Sequence, residues 1–227
     1  SIVTLNAGTA DPACTDVTVA GTLQVGAGSL ANVRHLTIAP GGLVDGGAGA
    51  IALGGNWNNT GSFVAGSSVV RFRDLCGIGN STVAGNTSFG SVSFVSGTGK
   101  TYSFAIGATQ TVVNLLEIAG TASQPIQFRS TSAGQTGFIN LLGTGSQQIQ
   151  HVGVTDVWAT GQHLAPTLTN EGGGGNANGW FGGNAPVAVE PIPTVSDVAL
   201  FALVAMLGWL GAFRLRRRSA LRRSTRH

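Results

Sequence analysis

Short runs of alternating apolar and polar residues recur along most of this chain, broken by Gly, Ser and Asn. Thr22-Leu23-Gln24-Val25, Leu36-Thr37-Ile38, Val69-Val70-Arg71-Phe72, Thr101-Tyr102-Ser103-Phe104 and Phe138-Ile139-Asn140-Leu141 are examples. Alternation with a period of two sends one set of side chains inward and the other outward, which is the pattern of a half-buried strand. The runs are too short for large flat sheets, and there are 36 glycines to make corners. Glycine tolerates positive φ and lets neighbouring backbones approach closely. Runs of Leu, Glu, Lys and Arg that would favour helix are absent before residue 198. The expected body, residues 1–182, is therefore all-β, a parallel β-solenoid whose coils bury Val, Ile, Leu and Phe against the coils above and below. A β-sandwich is the alternative, since its strands alternate in the same way. No strict hexapeptide or nonapeptide period is present to decide between them.

The C-terminal end follows a different rule. Residues 198–213 are 16 uncharged Ala, Val, Leu, Phe, Met, Trp and Gly residues. As a helix at ~1.5 Å per residue they reach about 24 Å, somewhat under the ~30 Å hydrocarbon core of a bilayer. A cluster follows: Arg214, Arg216, Arg217, Arg218, Arg222, Arg223 and Arg226. Short Arg-rich flanks stay in the cytoplasm. The expectation is a single C-terminal transmembrane helix at 198–213, a basic cytoplasmic tail at 214–227, and Arg214, Arg216, Arg217 and Arg218 as the stop-transfer group. The body then lies outside the cytoplasm, and that topology requires an export signal upstream of Ser1. Residues 183–197, with Pro186, Pro191 and Pro193, read as an extended and accessible linker.

Charge supports the division. Residues 1–196 carry five basic side chains (Arg34, Arg71, Arg73, Lys100, Arg129) against eight acidic ones, a net of −3, whereas the whole chain is +3. The positive excess resides entirely in the tail. Nothing in the body forms a basic patch for nucleic acid, so no nucleic-acid partner is expected.

The motif Ile192-Pro193-Thr194-Val195-Ser196-Asp197, then the apolar run, then the arginines, resembles the IPTL-CTERM sorting signal. That signal is a relative of PEP-CTERM found in Gram-negative envelope proteins. The resemblance covers about 35 residues, and Val195 stands where that signal has Leu. It implies recognition through Ile192, Pro193 and Thr194 by an exosortase-like membrane protease, cleavage near the motif, and transfer of the body to the cell surface. The stretch from Asn56 to Trp180 is similar to Gly/Thr-rich bacterial surface proteins with parallel β-helix bodies, through Gly55-Asn56-Trp57-Asn58-Asn59-Thr60-Gly61 and Asn176-Ala177-Asn178-Gly179-Trp180-Phe181.

Chemistry is sparse in the body. There are two cysteines, Cys14 and Cys76. In an oxidising periplasm such a pair is expected to bond, the alternative being two buried free thiols. Neither has a His or Cys at ligand spacing, so no metal or cofactor is expected. Glycosidases need two carboxylates converging at ~5–9.5 Å, and the acidic residues here are scattered singly. Asp156, two residues before Trp158, is the best candidate for a carbohydrate-active β-helix enzyme. The bland alternative is a turn residue beside a packed aromatic. His35, His151, His163 and His227 are dispersed. The expected function is that of a non-enzymatic, exported cell-surface protein, structural or adhesive, with surface polysaccharide or other matrix components as partners besides the membrane. The alternatives are the β-helix enzyme and a permanently membrane-anchored surface protein that is never cleaved.

Overall fold

The computed structural model describes residues 1–182. The expected linker, membrane helix and basic tail, including Ile192, Pro193, Thr194 and the four stop-transfer arginines, lie outside the described residues. Within 1–182 no helix is long and apolar enough to cross a membrane.

The chain winds through three walls in turn. The first coil is β1 (Ile2–Thr4), β2 (Thr9–Ala10) and β3 (Val17–Val19); the second is β4 (Thr22–Gln24), β5 (Ser29–Val33) and β6 (Leu36–Ile38). The third is β7 (Leu43–Asp45), β8 (Ala50–Leu53) and β9 (Trp57–Asn59); the fourth is β10 (Ser62–Val64), β11 (Val69–Phe72) and β12 (Asn80–Ala84). From the fifth coil onward long strands replace the first corner. They are β13 (Thr87–Val95), followed by β14 (Thr101–Phe104), and then β15 (Thr109–Ala119), followed by β16 (Ile126–Ser130). The seventh coil is β17 (Gly137–Leu141), β18 (Ser146–Gln150) and β19 (Val152–Thr155), and β20 (Val157–Ala159) begins the next.

The first wall stacks β1-β4-β7-β10. The second stacks β2-β5-β8-β11-β13-β15-β17-β20, with β18 also on β15, and the third stacks β3-β6-β9-β12-β14-β16-β19. Every ladder between these strands is parallel, so the antiparallel pairing of a β-sandwich is not the one adopted. The body is all-β and β-helix-like. Registers such as Ile2↔Thr22, Thr22↔Leu43 and Leu43↔Ser62 show coils of nearly constant length at the start. Later coils lengthen, as Ser91↔Leu115 and Leu115↔Ser146 show.

In-register stacking builds the core. Leu30, Ile51, Val70, Val92 and Leu116 lie one above another along the second wall, and so do Leu53, Phe72, Phe94, Ile118 and Ile149. Strands ~4.8 Å apart place like side chains at stacking distance. The Phe72 and Phe94 rings are accordingly 4.7 Å apart and 11° from parallel. Tyr102 and Phe128, consecutive on the third wall, meet Phe94 edge-on. Burying such side chains contributes roughly 1.5–3 kcal/mol each.

The corners explain the glycines. The position two residues beyond the first-wall strand is occupied by Asn6, Gly26, Gly47 and Gly66 in successive coils, with φ of 50°, 66°, 56° and 58°. A β-carbon on Gly47 would sit 2.6 Å from the Gly26 carbonyl oxygen. Left-handed backbone and close approach to the preceding coil together favour glycine at this corner from the second coil onward, while Asn6 takes it in the first.

Beyond β20 the chain forms no further named strand among the described residues. Single parallel bridges, Thr155↔Gly175 and Leu164↔Trp180, lay it across the last coil. Trp180 is 4% exposed, with its ring 6.0 Å from that of Phe128.

Candidate functional site

The sequence singles out Asp156 and Trp158, and the structure shows what their spacing does. Asp156 sits at the corner between β19 and β20 with φ of 57°. Asp and Asn are among the few non-glycine residues that enter this region readily. Its side chain is turned into the corner, leaving the residue 7% exposed. One carboxylate oxygen accepts the Gly134 N–H at 2.8 Å, and the other accepts the Asn176 side-chain amide at 2.6 Å. The Asn176 bond, followed by the Gly134 bond and the charge of Arg129, holds this carboxyl below its ordinary pKa, against a smaller opposing effect of burial. Asp156 is thus an ionised acceptor with both oxygens engaged. It ties the loops at Gly134 and Asn176 to the wall, and in this state it has no proton to give to a leaving group.

Two residues further on, strand alternation turns Trp158 outward. Its indole N–H donates to the Asn176 carbonyl oxygen at 3.0 Å, so Asp156 fixes Asn176 and Asn176 fixes Trp158. Trp158 pairs in register with Phe138 on the neighbouring strand. The two ring centroids are 6.1 Å apart and the planes 79° from parallel, an edge-to-face contact. Both residues are partly exposed. Below them on the same outer face Thr109 faces Phe138, and Thr111 faces Asn140. The result is a small aromatic step on a wall of hydroxyl and amide side chains, suited to holding a ligand by stacking and hydrogen bonds.

The remaining candidates are spread over the body. His35 accepts the Asn56 N–H at 2.8 Å, His151 contacts Glu171 at 3.1 Å, and His163 lies 3.2 Å from the Phe181 carbonyl oxygen. Among the described residues no cluster of three or more His, Cys, Asp or Glu is placed to hold a metal ion. The Gly-rich segment after Glu171 is tied down: Arg129 donates to the Gly172 carbonyl at 2.9 Å and Thr155 accepts the Gly174 N–H at 2.5 Å. Cys14 and Cys76 are joined in a disulfide.

The sequence shows Phe138 and Asn140 in an alternating run and Asn176 in a Gly/Asn-rich stretch, but nothing in it joins the three to Trp158. Phe138 and Asn140 alternate with Gly137, Ile139 and Leu141 in one strand, which marks them as outward, but their neighbours come from strands about 20 and 29 residues away. Asn176 lies 18 residues beyond the Trp158 it orients, with no periodicity linking the two. In comparisons with family models, curated proteins and solved structures, none matches this chain.

Proposed function

We infer that the chain is an exported cell-surface protein with a structural or adhesive role, delivered by a C-terminal exosortase-type sorting signal. In this reading residues 1–182 are a parallel β-solenoid body, 183–197 the linker carrying Ile192, Pro193 and Thr194, 198–213 a single transmembrane helix, and 214–227 its cytoplasmic tail. The body is held outside the inner membrane until an exosortase-like protease acts, and then passes to the surface or matrix.

One observation carries the reading: an uncharged 16-residue apolar run followed directly by Arg214, Arg216, Arg217 and Arg218. Moving guanidinium groups across hydrocarbon is costly, so such a cluster holds its end of a helix in the cytoplasm. The β-helix-like body is compatible with it, its walls carrying few charged side chains.

The test is topology. Reporter domains fused after Phe181 and at the C-terminus should report opposite sides of the membrane. Replacing the four arginines with Glu should impair that orientation or the retention of the chain. A body found in the cytosol, or unchanged fractionation and an unchanged C-terminal location in the four-Glu variant, contradicts the reading.

A further inference from the structure

We propose that Phe138 and Trp158, with Thr109, Thr111 and Asn140 beside them, form a stacking platform for the pyranose rings of a neutral polysaccharide. This deepens the adhesive reading above and rests on it for its biological setting.

Position comes first. At this end of the strands the outward positions nearest the pair carry short polar side chains: Ser88 on β13, Thr109 and Thr111 on β15, Asn140 on β17. Phe138 and Trp158 interrupt this pattern in consecutive strands at one register. An aromatic on the wet side of a strand gains little of the burial that rewards Phe72 or Phe94 in the interior. The Phe138–Trp158 contact recovers part of it and leaves the rest of both rings available.

Rigidity is the second observation. Trp158 does not merely lie on the surface. Its indole N–H is held by Asn176 at 3.0 Å, Asn176 is held by Asp156 at 2.6 Å, and Asp156 is anchored to the Gly134 backbone at 2.8 Å. Asp156 itself is more than nine-tenths buried. A ring fixed before the ligand arrives loses little rotamer freedom on binding. Because the planes stand 79° apart, the two rings form a corner rather than a flat shelf. A sugar ring seated there lays its C–H face on one aromatic and meets the other with its rim.

The polar neighbours and the charge set the ligand class. Thr111 and Asn140 are two residues along their strands from Thr109 and Phe138, on the same face, about 7 Å away. A hydroxyl and a primary amide both donate and accept, which matches sugar hydroxyls. None of the five platform residues is charged. The nearby carboxylate of Asp156 is committed to Gly134 and Asn176. The guanidinium of Arg129 is committed to the carbonyls of Phe128, Gly153 and Gly172 and to the side chain of Gln127. Among the described residues no free cation borders the platform to select an acidic glycan, so a neutral one fits.

The experiment is a pull-down of the purified full chain, in a detergent without a sugar headgroup, on insoluble cellulose, chitin, xylan and mannan, with polygalacturonate as the acidic comparison. At least one neutral polymer should deplete the protein. Trp158→Ala and Phe138→Ala should each weaken that binding roughly tenfold, while Trp158→Phe, which keeps a ring but loses the bond to Asn176, should fall between the parent and Trp158→Ala. Thermal unfolding of each variant checks that the body is intact, and Thr111→Ala with Asn140→Ala gives a second, milder loss that does not disturb the rings. The proposal is overturned if none of the neutral polymers is bound, if only polygalacturonate is bound, or if binding is indifferent to Trp158 and Phe138. Failure here with the body outside the cytoplasm sinks the platform alone. Binding by a chain whose body is cytosolic would sink the surface reading and leave the platform.

Discussion

Cys14 and Cys76 are bonded although they belong to the first and fourth coils, 62 residues apart in the chain and 5.3 Å apart at their α-carbons. Three coil spacings of ~4.8 Å separate their strands. The distance is closed by the loop after β11, which runs back along the outside of the body. It passes over the corner of the third coil, where Gly54 has no side chain. A β-carbon there would collide with the Leu75 carbonyl. Cys76 then reaches the second coil, its sulfur 3.8 Å from the Asn32 and Val33 carbonyls, and Cys14 donates its own N–H to the Asn32 carbonyl at 2.8 Å. The disulfide is a clasp across the first four coils.

A clasp closing so long a loop acts mostly on the unfolded chain. The loop-entropy relation gives about 4 kcal/mol for a loop of this length, and measured values commonly fall at 2–4 kcal/mol. Cys76→Ser, or reduction, should lower the stability of the body by that order in urea titrations. Equal midpoints for the oxidised and reduced chain would show that the clasp constrains nothing.

The corner glycines make a second, sharper case. Gly47 and Gly77 both have positive φ, 56° and 66°. Gly47 is crowded by the Gly26 backbone, whereas a β-carbon on Gly77 meets nothing within 4 Å. Gly77→Ala should therefore cost only the left-handed backbone strain, roughly 1–2 kcal/mol. Gly47→Ala should cost that plus displacement of the second coil, and the larger drop in its denaturation midpoint measures the crowding. A smaller loss at Gly47 than at Gly77 would contradict the stacked-corner geometry.

These two features show how unevenly the fold is written in the sequence. Alternation in runs such as Val69–Phe72 is a local property and names inward and outward residues without knowledge of partners. The three-walled winding is not local. Gly26, Gly47 and Gly66 carry its spacing, but the residue between consecutive corners varies from Leu23 to Val44 to Phe63, and the later coils lengthen, so no fixed repeat stands out. At the site, Asp156 and Trp158 are adjacent enough to be noticed together, whereas the link that makes them one unit is Asn176, supplied by the segment laid over the last coil. The role of Lys100 is equally hidden. It is the chain's only lysine, and nothing around Gly99 or Thr101 in the sequence marks it as buried.

Lys100 is 1% exposed. Its ammonium donates to the carbonyls of Gly54 and Arg73, the latter at 3.2 Å, and lies 5.5 Å from the centre of the Tyr102 ring. Burial lowers its pKa from the usual 10.5 to about 8, with Asp74 opposing. The folded chain then releases this proton near pH 8, while the unfolded chain keeps it to about 10.5. Between these values the unfolded state binds more protons, so stability rises with pH. Tyr102, whose pKa burial raises, works in the opposite sense above its ordinary value of 10. The clean window is pH 8–10. Urea midpoints of the parent should climb across it, and those of Lys100→Met should climb less. Identical pH profiles would remove Lys100 from the account.

The Asp156–Asn176–Trp158 relay offers a last test, because it predicts two changes from one substitution. Asn176→Ala removes the largest influence holding the Asp156 carboxyl below its ordinary pKa. A carboxyl depressed in the folded state stabilises the fold above its unfolded pKa and loses that contribution as the pH falls through the folded value. Raising the folded value shifts the loss upward, so acid unfolding of the variant, followed by near-UV circular dichroism, should begin at a higher pH than in the parent. The same substitution frees the Trp158 indole N–H. Affinity for a neutral glycan should drop, but less than in Trp158→Ala, since the ring remains and only its fixed orientation is lost. A variant with the parent's acid profile and the parent's glycan binding would show that Asn176 neither holds the carboxylate nor aims the ring.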